Sequence, residues 1–252
     1  MYKKALGFNP NHANYTGNYA NFLAYRRKDH DAAEALYKKA LELDPNHANN
    51  TCNYAIFLAR RKDYDAAEVM FKRALELDPN HFNNTGSYAN FLANQRKDYD
   101  AAEVMFKKAL ELDPNNADNT SNFASLLLIK GDAIAIQQVE PLVCKVIDFS
   151  EGRPSQAVGE ALLYRCLHSE LISGIPGNGM GCLKSLLSMD FERGFWDFSA
   201  VFDSVLPKIS SDRHSLYRGI GDAILNAESV PALNEFALWR DTPPSDPFAP
   251  GS

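Results

Sequence analysis

The chain has 252 residues, 45% of them hydrophobic and 23% charged, which is typical of globular proteins. Basic and acidic residues balance at 17 each over residues 1–133, whereas residues 134–252 carry 9 basic and 15 acidic residues, so the net charge is −6. No apolar run reaches the roughly 18 residues of a transmembrane helix, and no basic face favours nucleic acid. We therefore expect neither a membrane nor a nucleic-acid partner.

One segment of the chain is repeated almost unchanged. The stretch KDYDAAEVMFKRALELDPN at residues 62–80 recurs at residues 97–115, where Lys108 replaces Arg73, and a looser copy occupies residues 28–46. The prolines that close successive units lie 35, 34 and 35 residues apart, at Pro10, Pro45, Pro79 and Pro114. A fixed period of this length is typical of a stacked repeat array.

Each unit predicts a helix, a short turn and a second helix. In residues 46–79 the apolar residues around Phe57, and then those around Phe71, recur at helical spacing. Either Asp63 or Asp65 can cap the second helix, and an Asp-Pro pair ends it. Because one helix pair cannot bury its own apolar face, we expect neighbouring units to stack.

The order of residues that these units share resembles the tetratricopeptide repeat over roughly residues 2–150. The motif is Tyr-Ala-x-Phe-Leu, then Asp-Tyr-Asp-x-Ala, then Phe-Lys-Lys-Ala-Leu-Glu-Leu-Asp-Pro. The resemblance implies an all-α fold, a right-handed α-solenoid of antiparallel helix pairs. Threonine stands where the family often has a large aromatic residue, and the usual turn glycine is absent. Because Tyr25 and Asn94 lengthen this turn by one residue, we expect an altered turn within the same fold.

The repeat motif predicts how the chain is divided. The array is predicted at residues 1–149, with a half repeat at 1–10, repeats at about 11–45, 46–79 and 80–114, and a degenerate repeat at 115–149. The half repeat favours a fragment of a longer protein, the alternative being a short capping helix. A helical extension is predicted at 150–240, with helices at 156–172, 180–189, 198–209, 211–227 and 231–239. The proline-rich tail, residues 241–252, is predicted to be disordered.

Motifs for chemistry are incomplete, so we expect no enzyme, no cofactor and no metal site. The glycine-rich stretch Gly174–Gly181 lacks the preceding strand and the Gly-Lys-Ser/Thr sequence of a phosphate loop. Cys166 and His168 lie two residues apart on a predicted helix and point in different directions, which disfavours a shared metal. An enzyme in residues 150–240 stays a remote alternative. Four scattered cysteines favour reduced thiols and a cytoplasmic location.

The resemblance also implies a concave groove, lined by the first helices, in which such arrays bind extended peptides. Ladders of short polar side chains project onto that surface. The residues predicted to form the peptide-binding groove are Asn14, Asn18, Asn21, Asn49, Asn53, Asn83, Asn90 and Asn122, with Tyr25 and Arg60 at its end. Amides donate and accept hydrogen bonds, so they can hold the backbone of an extended segment. The open alternative is that these asparagines only solvate an inner face and recur because the unit was copied.

Some tetratricopeptide proteins clamp the acidic C-terminus of heat-shock chaperones with lysine, asparagine and arginine. This chain matches only the asparagine part of that clamp, at Asn21 and Asn53. Gly17 and Ser87 stand at the lysine and arginine positions. A chaperone clamp is therefore not expected.

Two functions remain open at this point. The leading hypothesis is a non-catalytic scaffold that binds a protein or peptide segment. The alternative is a homo-oligomer formed through the repeat ends, at an apolar face of Ala5, Leu6, Tyr19 and Phe22. Three histidines at the repeat joints, His12, His47 and His81, are interpreted as solvated turn residues.

Overall fold

In a computed structural model of the chain, residues 11–193 and 197–249 are described, and every regular element within them is helical. The chain forms two compact units that divide between Pro114 and Asn115. The domain limit predicted after residue 149 rests on the decay of the repeat motif, so it is a different kind of boundary and stays a prediction. The half repeat predicted at 1–10 lies outside the described residues.

The first unit consists, in its described part, of three helix pairs. Its helices are α1 (Ala13–Phe22), α2 (His30–Leu43), α3 (Ala48–Arg60), α4 (Tyr64–Leu77), α5 (Phe82–Phe91) and α6 (Tyr99–Leu112). Each first helix packs on the second helix of its own pair, as α1 does on α2. The first helices of neighbouring pairs also contact each other, α1 with α3 and α3 with α5. The three first helices therefore lie side by side.

Polar side chains cap both classes of helix in this unit. The first helices begin after His12, His47 and His81, whose Nδ1 atoms accept backbone N–H groups at 3.4, 3.2 and 3.3 Å. These histidines, interpreted from the sequence as solvated turn residues, thus satisfy donors that a helix start leaves unpaired. The second helices are capped by aspartates, and at α4 the cap is Asp63, which accepts the N–H of Ala66 at 3.3 Å.

The extra residue in two of the turns is absorbed as a π-helical turn. Leu23–Arg27 continues α1 in this form and Leu92–Arg96 continues α5, whereas α3 has no such turn. A π-helical turn bonds residue i to i+5, so it accommodates one inserted residue without ending the helix. A lysine in the left-handed region follows each first helix, with φ of 57°, 66° and 58° at Lys28, Lys62 and Lys97. The expected altered turn within the same fold is confirmed.

Alanine and aromatic residues set the packing of this unit. Fully buried alanines let the helices approach closely, and they recur at Ala20, Ala55 and Ala89 in the first helices and at Ala33, Ala67 and Ala102 in the second. The ring of Tyr37 packs 5.2 Å from that of Phe57 of the next repeat, centroid to centroid. One repeat later Phe71 packs 5.1 Å from Phe91. The same packing unit therefore recurs at both junctions.

The threonines at the family's aromatic position are buried rather than solvated. Thr16, Thr51 and Thr85 are at most 1% exposed, and each hydroxyl donates to the backbone carbonyl four residues earlier at 3.1 Å. Each hydroxyl is thus satisfied within its own helix, so the small side chain can be buried without a stranded donor.

The second unit is also helical throughout its described part. Its helices are α7 (Ala117–Lys130), α8 (Ala133–Phe149), α9 (Gln156–Ser173), α10 (Gly179–Leu187), α11 (Ser199–Val205), α12 (His214–Leu225) and α13 (Ala237–Asp241). Helix α7 pairs with α8, and α9 packs against α7, α8, α10 and α12. The carboxylate of Glu170 on α9 is buried, where it accepts from Arg213 and, at 2.9 Å, from the hydroxyl of Tyr217. The bond from Tyr217 therefore joins α9 to α12, and Arg213 lies directly before α12.

Two predicted helices of this unit are shorter in the structure because of proline. The helix predicted at 198–209 ends at Val205 and continues as a 3-10 turn, Leu206–Lys208, since Pro207 has no N–H to donate. The helix predicted at 231–239 is a 3-10 segment, Ala227–Glu235, that contains Pro231 and precedes α13. The tail predicted to be disordered at 241–252 packs on α10 in its described part, up to residue 249. Lys184 binds the carbonyl of Thr242, and the N–H of Ser245 donates to the carbonyl of Gly181.

Candidate functional site

The asparagines predicted to bind a peptide follow one exposed stripe on each first helix of the first unit. In the first repeat, residues 14, 18 and 21 of α1 and residue 25 of the π-helical turn that continues it are spaced by four, three and four, which places them on one side of the helix. The same spacing holds on α3 and on α5 with its own π-helical turn. We call these three stripes the first-helix face: Asn14, Asn18, Asn21, Tyr25, Asn49, Asn53, Ile56, Arg60, Asn83, Ser87, Asn90 and Asn94.

The amides of this face are accessible to solvent. Asn14, Asn49 and Asn83 are exposed at the start of the three helices, while Asn53 and Asn90 are half-buried. On α1 the Nδ2 of Asn18 donates to the Oδ1 of Asn14 at 3.1 Å. Because the first helices contact one another, a segment crossing them would meet one such stripe on each helix. The residue predicted next in the series, Asn122, is half-buried on α7 of the second unit, and its place in the same groove stays a prediction.

One amide of the face has a fixed orientation. The hydroxyl of Tyr37, a fully buried residue of α2, donates to the Oδ1 of Asn21. Because Oδ1 accepts this bond, Asn21 presents the donor Nδ2. Phe71 and Phe106 occupy the position of Tyr37 in the next two repeats and carry no hydroxyl, so this arrangement is special to the first repeat.

Tyr25 and Arg60 contact each other at the end of the face. The guanidinium of Arg60 lies over the ring of Tyr25, 4.5 Å from its centroid, which is a cation–π contact between α3 and the π-helical turn of the first repeat. Burial raises the pKa of the Tyr25 phenol, and the Arg60 charge opposes the rise. Burial also raises the pKa of the Tyr37 phenol. Both phenols therefore stay neutral at physiological pH and can donate hydrogen bonds.

Sequence reasoning missed the part played by Tyr37 and by a second set of asparagines. Asn50, Asn84 and Asn119 are at most 5% exposed. The first two lie one residue after the predicted groove residues Asn49 and Asn83, and Asn119 holds the corresponding position on α7. The Nδ2 of Asn50 donates to the carbonyl of Ala13 on α1 at 3.1 Å, so this amide joins repeats rather than facing a ligand. The only signal for Tyr37 was the change from tyrosine to phenylalanine between otherwise similar copies.

The chaperone-clamp positions are occupied in a way that leaves no room for the clamp. A side chain on Gly17 would begin 2.2 Å from the Oδ1 of Asn50, so a lysine there would displace the amide that joins two repeats. Ser87 hydrogen-bonds the buried thiol of Cys52. Burial raises the pKa of that thiol to about 12. A lysine at position 17 is therefore incompatible with this contact between repeats, and the absence of a chaperone clamp stays a prediction.

The cysteines and histidine considered for chemistry in the second unit do not form a reactive group. Burial raises the pKa of Cys166, and the pKa of Cys144 and Cys182 is raised for the same reason, so these thiols are protonated rather than nucleophilic thiolates. His168 is directed to Glu140, with 3.9 Å between Nδ1 and Oε2. Across residues 11–193 and 197–249, no three or more His, Cys, Asp and Glu side chains are grouped to hold a metal ion.

A surface pocket of about 340 Å³ lies beside these residues in the second unit. Glu140, Arg165, His168 and Ile172 are among its lining residues. The buried guanidinium of Arg165 is already paired, 3.0 Å from Glu140 and 3.3 Å from the thiol of Cys144. The pocket therefore offers an anion no uncompensated positive charge.

A buried carboxylate joins α7 to α9 in the same unit. Glu160 is 6% exposed and accepts from the Nε2 of Gln156 at 2.7 Å and from the hydroxyl of Ser121 at 3.2 Å. Burial raises the pKa of Glu160 to about 7, although both hydrogen bonds oppose the rise. Its charge therefore changes near neutral pH.

No helix in the described part of the chain is both long enough and apolar enough to cross a bilayer.

A family model for the middle TPR-like domain of cilia and flagella-associated protein 70 matches residues 28–137. No curated protein matches the sequence.

Solved structures match most of the chain at low identity. Yeast Tom70 is similar with a TM-score of 0.60 and 16% identity, over 93% of this chain and 43% of Tom70. PilW, a type IV pilus biogenesis factor, is similar with a TM-score of 0.58 and 18% identity, over 94% of this chain and 96% of PilW. PilF of Pseudomonas aeruginosa gives 0.57 and 16%, over 94% of each chain. At these identities the likeness concerns the fold alone.

Proposed function

The chain is a tetratricopeptide-type helical repeat protein with the all-α solenoid fold that its motifs predicted, and on that premise we propose that it is a non-catalytic scaffold. In this proposal the first-helix face binds an extended segment of a partner protein. The observation that supports this proposal is the orientation of the Asn21 amide. The buried Tyr37 binds its Oδ1, so the Nδ2 donor is left for a ligand at that face.

The spacing of the face suits an extended backbone. Packed helices lie about 8–10 Å apart, and an extended chain advances about 3.3 Å per residue, so amides on adjacent helices can hold backbone groups about three residues apart. Three helices then accommodate at least about six residues. Amides contact the backbone whatever its sequence, so selectivity falls to side chains at the end of the face, where Arg60 and Tyr25 lie.

The proposal includes a cytoplasmic location and no catalysis. Support for the location comes from four free cysteines, which suit a reducing compartment. Protonated thiols and a paired Arg165 support binding rather than chemistry in the second unit.

The alternative function is assembly of copies through an apolar repeat end. Two residues of that end, Ala5 and Leu6, lie outside the described residues. A constant monomer mass in light scattering over a dilution series would exclude this alternative.

The test compares two variants of the full chain in capture from a lysate of its source. The face variant replaces Asn18, Asn53 and Asn90 by alanine, and it spares Asn21 because that change would also strand the hydroxyl of Tyr37. The matched control replaces Val69 and Val104, which are 60% and 59% exposed on the second helices, by alanine. We expect the face variant alone to lose the captured protein at unchanged helicity. Equal capture by the wild type, the face variant and the control would show that the first-helix face does not bind the captured protein.

A further inference from the structure

A segment without helical structure lies along α10 in the second unit. It spans residues 242–249, TPPSDPFA, and we call it the proline segment. The backbone N–H of Ser245 donates to the carbonyl of Gly181 at 3.1 Å, and the side chain of Pro247 is buried. The thiol of Cys182 donates to the carbonyl of Asp246 at 3.5 Å. The segment is thus held by hydrogen bonds along its backbone.

Lys184 binds carbonyl oxygens at the end of α13 and at the first residue of this segment. Its Nζ donates to the carbonyls of Trp239, Arg240 and Thr242 at 2.9, 2.8 and 2.9 Å. An ammonium group has three donors, so all three are used on main-chain oxygens. Two of these oxygens belong to the last turn of α13, where a helix leaves carbonyls without partners. Lys184 therefore recognises backbone, not side chains.

Gly181 allows the segment to approach the helix closely. A Cβ at this position would lie 2.6 Å from the carbonyl of Pro243 and 2.3 Å from the hydroxyl of Ser245. Both distances are shorter than van der Waals contact, and one of them is to a backbone atom. Any larger residue at 181 would push the segment away. Gly181, Cys182 and Lys184 together form what we call the α10 cradle.

The proline content of the segment matches this mode of contact. Pro243, Pro244 and Pro247 have no N–H group, so their part of the chain presents carbonyl oxygens as its polar atoms. Thr242 has φ −72° and ψ 124°, close to the polyproline II conformation, which needs no internal hydrogen bonds. The cradle supplies donors to such a chain at two sites, Lys184 and Cys182, and one acceptor at Gly181.

We propose that the α10 cradle is a second binding surface, specific for extended proline-containing segments of a partner protein, and that this chain's own proline segment occupies it. Contacts with backbone atoms fit an extended segment that keeps an N–H at the Ser245 position, and proline at the buried position of Pro247 leaves no N–H there without a partner. A tethered segment competes at an effective concentration in the millimolar range, so the surface opens to a partner only when the tethered segment is displaced. The cradle lies in the second unit and the first-helix face in the first, so each can be tested without the other.

The experiment uses the full chain and a labelled peptide of residues 241–249. In an open variant, P243G, P244G and S245P weaken the tethered segment by adding flexibility and removing the Ser245 donor. We expect fluorescence anisotropy to show saturable binding to the open variant, at least tenfold tighter than to the wild type. Adding Gly181→Ala to the open variant should abolish it. Equal affinity for the wild type and the open variant, or binding that survives Gly181→Ala, would overturn the proposal.

Two further readouts keep the test decisive. Hydrogen exchange on the otherwise unchanged chain should show the Ser245 amide exchanging at least tenfold faster in Gly181→Ala, with the amides of α9 unaffected. An unchanged Ser245 rate would contradict the close contact itself. Light scattering tests whether the proline segment of one copy binds the cradle of another. A dimer of the wild type would make a second copy of this chain the occupant and overturn the proposed partner segment.

Discussion

The pair formed by Asn21 and Tyr37 gives the sharpest test of how the first-helix face is built. The chain contains its own apolar version of the pair, since Ile56 and Phe71 occupy the same positions in the second repeat. Replacing Asn21 by Ile and Tyr37 by Phe together therefore transplants an arrangement that already exists in this fold. We expect the free energy of unfolding of the double variant to lie within about 1 kcal/mol of that of the wild type.

The single changes should cost more than the double change because each leaves one polar group behind. Tyr37→Phe removes the hydroxyl, but the half-buried Asn21 can turn to water, so we expect a loss of about 1 kcal/mol. Asn21→Ile removes the amide acceptor of the fully buried Tyr37 hydroxyl and leaves the Tyr25 phenol as its hydrogen-bond partner, which costs about 1–3 kcal/mol. The coupling energy of the pair, which is the summed cost of the single changes less the cost of the double change, is then about 1–4 kcal/mol.

Urea unfolding followed by circular dichroism at 222 nm measures all four proteins of this cycle. The four free energies of unfolding are compared only if their slopes against urea concentration are equal, since a changed slope would report a changed denatured state. Effects of the two changes that add within about 0.5 kcal/mol would show that the residues are not coupled. That result would refute the orientation of Asn21 and, with it, the observation on which the proposed binding face depends.

Three further predictions concern the caps, the turns and the buried carboxylate. His81→Ala should lower the free energy of unfolding by about 1 kcal/mol, whereas His81→Asn should not, because Asn116 caps α7 in the same way with a 2.9 Å bond; equal losses in urea unfolding would contradict the capping role. Lys62→Gly should raise it by about 0.5 kcal/mol, since Lys62 has φ 66° and Gly131 has the same φ; Lys62→Ala, the control, should give no gain. Glu160 binds its proton more tightly in the folded chain, with a pKa of about 7 against 4.5, so stability falls as pH rises through this window. Glu160→Gln should therefore gain up to about 3 kcal/mol at pH 8 and almost nothing at pH 4, and an equal gain at both would refute the assignment.

The sequence predicted the repeats because their signal is copied several times at a fixed period. Buried alanines and aromatic residues recur at the same positions, so one packing unit fixes the fold class. The turns were predicted only in outline, since a one-residue insertion can loop out or become a π-helical turn, and hydrogen bonding across the turn decides between them.

The candidate site was predicted by position but not by bonding. Helical spacing placed Asn14, Asn18 and Asn21 on one stripe, as the structure has them. The partner of Asn21 comes from α2, sixteen residues away, and periodicity carries no information on such a contact. The tail was predicted to be disordered because composition reports the absence of a core, while its contacts with Lys184 depend on the tertiary fold.

The most direct test of the account is where a captured segment contacts the protein. A photo-reactive residue is placed at Asn53 or Asn90 on the first-helix face, and at Val69 or Val104 on the second helices as the control, in otherwise unchanged full-length chains. We expect the captured partner to cross-link from positions 53 and 90 and not from 69 and 104, with the cross-links confined to one short stretch of its sequence. Cross-linking only from the second helices, or equally from all four positions, would contradict the claim that the asparagine-lined face binds an extended segment.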